Sequence, residues 1–382
     1  MFTKQRHLVA LSSLLLGAVS FTACIDQDKN SPNQVYIYND NNCSTNTTQQ
    51  ADTTTNNEAG TLEKQTLSGD ITSDTTLTAD KVWILDGLVV VKEGTTLTIE
   101  AGTTIAGKDG TGDNTSYIIV DKGAKIVAEG TETKPIIFTS EIAYDGGTSA
   151  LGQWGGITII GRAGNNQVQA YEVNSNYEAE STDMTDNSGV LKYVKILNSG
   201  ITMETDKEIN GLSLVGVGSG TTIENITVNK SDDDCIEIWG GTVNLTNIEV
   251  SECSDDQFDI DDGYSGIVKN LVINQTIGNA GIEMSGTTAA TFDGLTLTQT
   301  FSVKEGGIFF KKAGIGGHFK NAVITDNSTD GAGAIYSLQT ADTDNISFEN
   351  VKLQGSSTDA KFTGDSAEAI EAIFDGGTGN TK

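Results

Sequence analysis

The feature that most constrains this chain is a register. Asn225-Ile226-Thr227-Val228 returns as Asn247-Ile248-Glu249-Val250, then as Asn270-Leu271-Val272-Ile273, Gly294-Leu295-Thr296-Leu297 and Asn321-Ala322-Val323-Ile324, at spacings of 22, 23, 24 and 27 residues. A second short run follows each one: Ile236-Glu237-Ile238, Phe258-Asp259-Ile260, Ile282-Glu283-Met284, Ile308-Phe309-Phe310 and Ile335-Tyr336-Ser337. A period of about 20–30 residues carrying two or three short strands specifies a solenoid, because one repeat cannot bury its apolar face until a neighbour stacks on it. A β-sandwich or barrel accounts for short strands but not for a register held over five repeats. The expected fold is therefore all-β, a parallel β-helix, with its right hand taken from the general handedness of parallel crossovers.

Alternation within the second run sets its facing. Ile236, Ile238, Phe258, Ile260, Ile282, Met284, Ile308 and Phe310 should point inward, and the residue between each pair outward. The Asn that opens each repeat should stack on its neighbours at a turn. The first half carries comparable runs, such as Leu88-Val89-Val90-Val91 and Tyr117-Ile118-Ile119-Val120. The β-helix is expected over 66–375, with a polar loop insertion near 163–188, a helix-like stretch at 366–374 within a segment of about 359–375 that shields the end of the core, and a flexible tail at 376–382.

The N-terminus reads differently. Lys4, Arg6 and His7 precede an apolar stretch at 8–19, which is short for a membrane span. Ser20-Phe21-Thr22-Ala23-Cys24 closes it. This resembles a bacterial lipoprotein signal over 1–23, with Cys24 as the acylated first residue of the mature chain, although Phe21 stands where an aliphatic is usual. The alternative is an ordinary secretory signal. Residues 24–65 are rich in Asn, Thr, Gln and Asp, too polar to offset the entropy of ordering, and form a disordered tether. The expected location is the bacterial envelope, lipid-anchored at the outer membrane or cell surface. Asp26 argues for inner-membrane retention under one sorting rule, but a long tether suits display better.

The formal charge of −29 argues against nucleic acid and suits cations. Four cysteines include Cys24 and Cys43. Cys235 and Cys253 stand about one repeat apart, and a disulfide between them would have to run diagonally between coils. No CxxC pair is present, and two histidines in the whole chain argue against zinc.

Several phrases carry a resemblance. They are Gln153-Trp154-Gly155-Gly156, the run 211–221, Ser231-Asp232-Asp233-Asp234 through Trp239-Gly240-Gly241, and Asp255-Asp256-Gln257-Phe258-Asp259 with Asp262-Gly263. Over roughly 75–350 the chain resembles secreted bacterial lipoproteins with pectate-lyase-like β-helix bodies, most of them without an assigned activity. The resemblance implies fold and surface location. Membership of a superfamily that includes polysaccharide lyases and hydrolases carries no activity by itself.

The stretch 232–262 holds eleven acidic residues and no Lys or Arg. Register puts Asp232, Asp233 and Asp234 at one turn and Asp255 and Asp256 at the same turn one coil on. Glu237, Asp259 and Glu283 fall in one outward column at about 4.8 Å spacing, where carboxylates repel unless something intervenes. Ca²⁺ is one answer, since it takes oxygen ligands in flexible numbers. Its candidate ligands are Asp233, Asp234, Glu237, Asp255, Asp256, Asp259, Asp261 and Asp262. Protonation, or simple solvation of an acidic face, are the others.

The leading expectation is a non-catalytic binding or structural protein whose partners are the membrane, through the anchor, and a glycan or surface protein. The alternative is a carbohydrate-active enzyme. Glu237 with Asp259, or Asp233 with Asp256, would then act as general acid and base. A lyase would need a basic residue beside the ion, and neither Lys230, Lys269 nor Lys304 is well placed. Phe309 and Tyr336 continue the outward column and could stack on sugar rings. The paired glycines lack the strand–loop–helix setting of a nucleotide site.

Overall fold

The computed structural model describes residues 62–382, apart from 165–169, 206, 301–303, 330, 340, 342, 358 and 359. The expected signal, the lipidation site Cys24, Cys43 and the tether up to residue 61 lie outside the described residues. From residue 62 the chain winds as a right-handed parallel β-helix, and the pairings between coils are all parallel. One stack runs from Ile157–Ile160 through Leu212–Val215, Ile236–Trp239, Phe258–Asp261, Ala280–Met284, Gly306–Phe310 and Ile335–Ser337 to Phe362–Gly364. A second runs from Gly189–Ser199 through Thr222–Ser231, Asn244–Ser251, Ile267–Gln275, Ala289–Gln299 and Gly316–Asp326 to Ile346–Gln354.

The inward residues read from alternation are buried without exception: Ile236, Ile238, Phe258, Ile260, Ile282, Met284, Ile308 and Phe310. Aromatic side chains stack along the interior. Phe292 and Phe319 stack with centroids 5.2 Å apart and planes nearly parallel, and Phe319 and Phe348 follow at 5.5 Å.

The asparagines of the repeat sit inside long strands, where each bends the strand. Asn225, Asn247, Asn270, Asn321 and Asn350 all take a left-handed φ between 51° and 57°, a conformation that Asn tolerates better than most residues. Their amides form an axial ladder. Asn247 Nδ2 donates to Asn225 Oδ1 at 3.0 Å, and Asn270 Nδ2 to Asn247 Oδ1 at 2.9 Å. Gly294 takes the ladder position with φ +89°, where a Cβ would stand 2.7 Å from Asn270 Oδ1.

Both ends depart from expectation. The first strand, Glu63–Ile71, starts inside the expected tether and pairs with Lys81–Val91. Main-chain pairing needs no apolar side chain, so polar composition did not mark this edge. At the other end the helix Ala367–Gly376 buries Ile370 and Phe374 against the last coil, as the pattern at 366–374 implied. The expected tail at 376–382 is instead bound. Asn380 Nδ2 donates to the carbonyls of Phe348 and Phe374 at 3.0 and 2.8 Å, and Thr381 exchanges main-chain hydrogen bonds with Val351 and Leu353. These contacts close the open edge of Ile346–Gln354, which would otherwise be a template for further pairing.

The insertion at 163–188 folds back on itself through the bridges Ala163↔Ser181 and Ala170↔Glu178. Its Tyr171 is fully buried, packs edge-on to Trp239 at 6.1 Å, and joins a cluster with Tyr117, Ile160, Ile209 and Val215. The loop thereby roofs the outward face of the coils that precede the acidic column.

Candidate functional site

Register builds the site. On the outward face, Thr158 pairs with Ser213, Ser213 with Glu237, Glu237 with Asp259, Asp259 with Glu283, Glu283 with Phe309 and Phe309 with Tyr336. The expected column of acids therefore exists, but it is not a wet face. Asp259 is 8% exposed and Glu283 only 2%.

A second file of side chains lies at the turn before each strand. Asp234 N donates to Asn210 Oδ1 at 3.2 Å, Asp256 N to Asp234 Oδ1 at 2.8 Å, and Ala280 N to Asp256 Oδ1 at 2.6 Å. Each side chain caps the main chain of the next coil, so these carboxylates are held in fixed orientations. Asn210 Nδ2 also donates to Glu237 Oε2 at 2.5 Å.

The two files meet in three groups whose ligand oxygens lie within 4.8 Å of one another: Asp233–Asp234–Asp255, Asp234–Glu237–Asp259 and Asp256–Glu283–Glu305. Two oxygens that each lie about 2.4 Å from one Ca²⁺ are at most about 4.8 Å apart, so each group has the span of a single coordination sphere. In the middle group one oxygen of Asp234 and one of Glu237 accept protein hydrogen bonds, which leaves the other oxygen of each to a ligand. Asp259 Oδ1 is buried and has no hydrogen-bond partner. An unmet carboxylate oxygen inside a protein costs about 1–3 kcal/mol or more, which marks the position as one built for something else to fill.

Electrostatics agree with the geometry. Burial pushes the Asp233 carboxyl up to about 8, with the neighbouring Asp255 adding to the shift. Burial, followed by the field of a neighbouring carboxylate, raises Asp234, Glu237, Asp256 and Asp259 well above the ordinary range. The roofing loop contributes Glu172, raised to about 7 by burial and by Glu208. Such a stack is stable only with protons or cations between its members.

Several expectations need correction. Asp261 and Asp262 stand outside the three groups. Asp261 ends its strand, accepts from the Asp262 N–H at 2.5 Å and pairs with Lys312 at 3.4 Å, and Asp262 takes a left-handed conformation, φ 53°, beside Asp261. Asp233 and Asp256 fall in different groups. Phe309 is 1% exposed and lies flat on Tyr336 at 4.9 Å, so it offers no open ring to a sugar, whereas Tyr336 is half-buried. Glu305 and Lys311 were not anticipated. Lys311 Nζ donates to Glu283 Oε1 at 2.5 Å. The signal was available: Lys311 follows Phe309 by two residues, on the same outward face.

Cys235 and Cys253 form a disulfide, with Cα atoms 5.5 Å apart. The diagonal is short because Cys253 sits in the turn that passes beside the start of Ile236–Trp239. Gln257 clamps that turn, with Nε2 donating to Cys253 O at 2.9 Å. The bridge thus ties the segment bearing Asp255 and Asp256 to the residue after Asp234. Loss of a native bridge typically costs about 2–5 kcal/mol, so reduction should lower the melting temperature by several degrees; an unchanged melting temperature after reduction would show that the hydrogen bonds of Gln257 hold this turn without the bridge.

Comparison with known proteins follows the same lines. Comparison with curated proteins finds no significant match. Among solved structures, the Agl-KA catalytic domain aligns over 72% of this chain and 52% of its own, with 11% identity and a TM-score of 0.39. Tailspike protein 2 of Escherichia coli O157:H7 bacteriophage CAB120 aligns over 72% of this chain and 35% of its own, with 14% identity and a TM-score of 0.31. The chain thus spans about half and about a third of these two proteins. The family model described as a pectate-lyase like beta helix domain matches residues 69–382, essentially the whole coiled body. The chain belongs to the pectate-lyase-like β-helix family.

Proposed function

We propose that this protein is an exported, lipid-anchored β-helix that binds one divalent cation, Ca²⁺ by its ligand chemistry, at Asp234–Glu237–Asp259, and that it acts as a binding or structural protein at the bacterial surface. The observation that carries the reading is the buried, unpartnered Asp259 Oδ1, on a carboxylate that has an oxygen within 4.8 Å of one each from Asp234 and Glu237. An all-carboxylate donor set selects a hard cation over zinc or copper.

Calorimetric titration of EDTA-treated protein with CaCl₂ tests it. One ion per chain and a raised melting temperature are expected; no heat and no change in melting at millimolar Ca²⁺ would end the cation reading. The non-catalytic part has a separate test. Cleavage of any member of a polysaccharide panel, lost in both Glu237→Gln and Asp259→Asn, would replace it with a carbohydrate-active enzyme.

The anchor rests on the motif ending at Cys24 and the polar segment after it. Cys24→Ser should move the protein from the membrane fraction to the soluble fraction, and retention in the membrane fraction would contradict lipidation.

A further inference from the structure

We infer that Lys311 is the protein's own cation for the third carboxylate group, and that it confines the acidic array to a single divalent ion. The inference rests on the cation-site reading above. Three groups of like composition follow one another along the helix axis. The first two share Asp234 and so offer room for one ion between them; among the described residues, their members form no ion pair with Lys or Arg. The third, Asp256–Glu283–Glu305, has an ammonium seated against it.

The geometry is that of a replacement. Lys311 Nζ stands 2.5 Å from Glu283 Oε1, close to the distance a Ca²⁺ ion keeps from its oxygens. The Glu283 side chain is 3% exposed, so water cannot screen its charge in place of Lys311. Lys311 reaches the group from the turn after Gly306–Phe310, a coil beyond Glu283. The next residue, Lys312, engages Asp261 at 3.4 Å. Lys312 thus serves a carboxylate outside the three groups, and of the lysines near the third group it is Lys311 that meets a buried member.

A monovalent ammonium on a four-carbon stem blocks a divalent ion by occupancy and by charge. Without it, Asp256, Glu283 and Glu305 are three carboxylates within 4.8 Å, and the cation left beside them is Lys304, 3.9 Å from Glu305 on a side chain that is 73% exposed, too solvated to stand in for a buried counter-ion. Removal of the lysine should open a second cation site there.

Titration of EDTA-treated full-length protein with CaCl₂, wild type against Lys311→Met and Lys311→Arg, decides it. One ion per chain is expected for wild type and Lys311→Arg, and two for Lys311→Met. One ion at unchanged affinity in Lys311→Met would overturn the inference, as would two ions in wild type. No ion in wild type but one in Lys311→Met would uphold the role of Lys311 while sinking the cation reading. No ion in either would sink both. If Lys311→Met proves too unstable to titrate without metal, Ca²⁺-dependent refolding is measured instead, with bound Ca²⁺ counted after dialysis. Two ions support the inference, and one ion or no recovery overturns it.

Discussion

Replacing Asp259 with Asn is expected to make the metal-free protein more stable and, in the same variant, to weaken Ca²⁺ binding by at least tenfold. The two effects have one cause. Asp259 stands between Glu237 and Glu283 in a buried column, with one oxygen unpartnered. A neutral amide removes a like charge from that column and replaces an acceptor with a donor able to reach neighbouring carboxylates. The metal-free gain should be about 1–3 kcal/mol, the usual cost of an unmet buried polar group. Chemical denaturation of EDTA-treated wild type and Asp259→Asn measures it. Because the same substitution deletes a ligand, added Ca²⁺ should stabilise wild type far more than the variant. A variant that is simply less stable under both conditions would mean that Asp259 serves packing, not a ligand.

The second large effect is on pH. Asp233 titrates near 8 in the folded state, and Asp234, Glu237, Asp256 and Asp259 are also raised well above their ordinary range. Unfolded carboxyls release their protons near pH 4. Between these limits the folded protein holds protons that the unfolded chain does not, so stability must fall as pH rises. The stabilisation is fully present below about pH 4 and is lost through about pH 8. Each carboxyl forced to ionise over one pH unit withdraws ~1.4 kcal/mol, a few degrees of melting temperature in a domain of this size. Ca²⁺ competes with the same protons, so its stabilising effect should grow over this window, and binding at pH 6 should release protons. Melting curves at pH 5, 6.5 and 8, with EDTA or Ca²⁺, report both. A metal-free melting temperature that rises from pH 5 to pH 8 would contradict the buried array.

Much of this site was legible in the sequence because a solenoid makes position periodic. Once Ile236, Phe258, Ile282 and Ile308 are aligned, the outward residues Glu237, Asp259, Glu283 and Phe309 follow, and the structure pairs them in that order. Three things were not legible. Outward does not mean exposed: Glu283 and Phe309 are covered, and the insertion that roofs the neighbouring coils has no repeat pattern from which its path could be read. Charge compensation came from Lys311 and Lys312, outside the acidic stretch, because neighbours along a solenoid axis are distant in sequence. The boundaries of the coiled body are hidden in the sequence because Glu63–Ile71 and the segment after Gly376 are held by main-chain and amide hydrogen bonds, which polar composition conceals.

The most direct test of the central claim is a high-resolution crystal structure grown with Ca²⁺, with anomalous scattering used to locate the ion. The account predicts one ion bound by Asp234, Glu237 and the now-partnered Asp259 Oδ1, with Lys311 still on Glu283. Full Ca²⁺ in the crystal with no anomalous peak among these three carboxylates would contradict it.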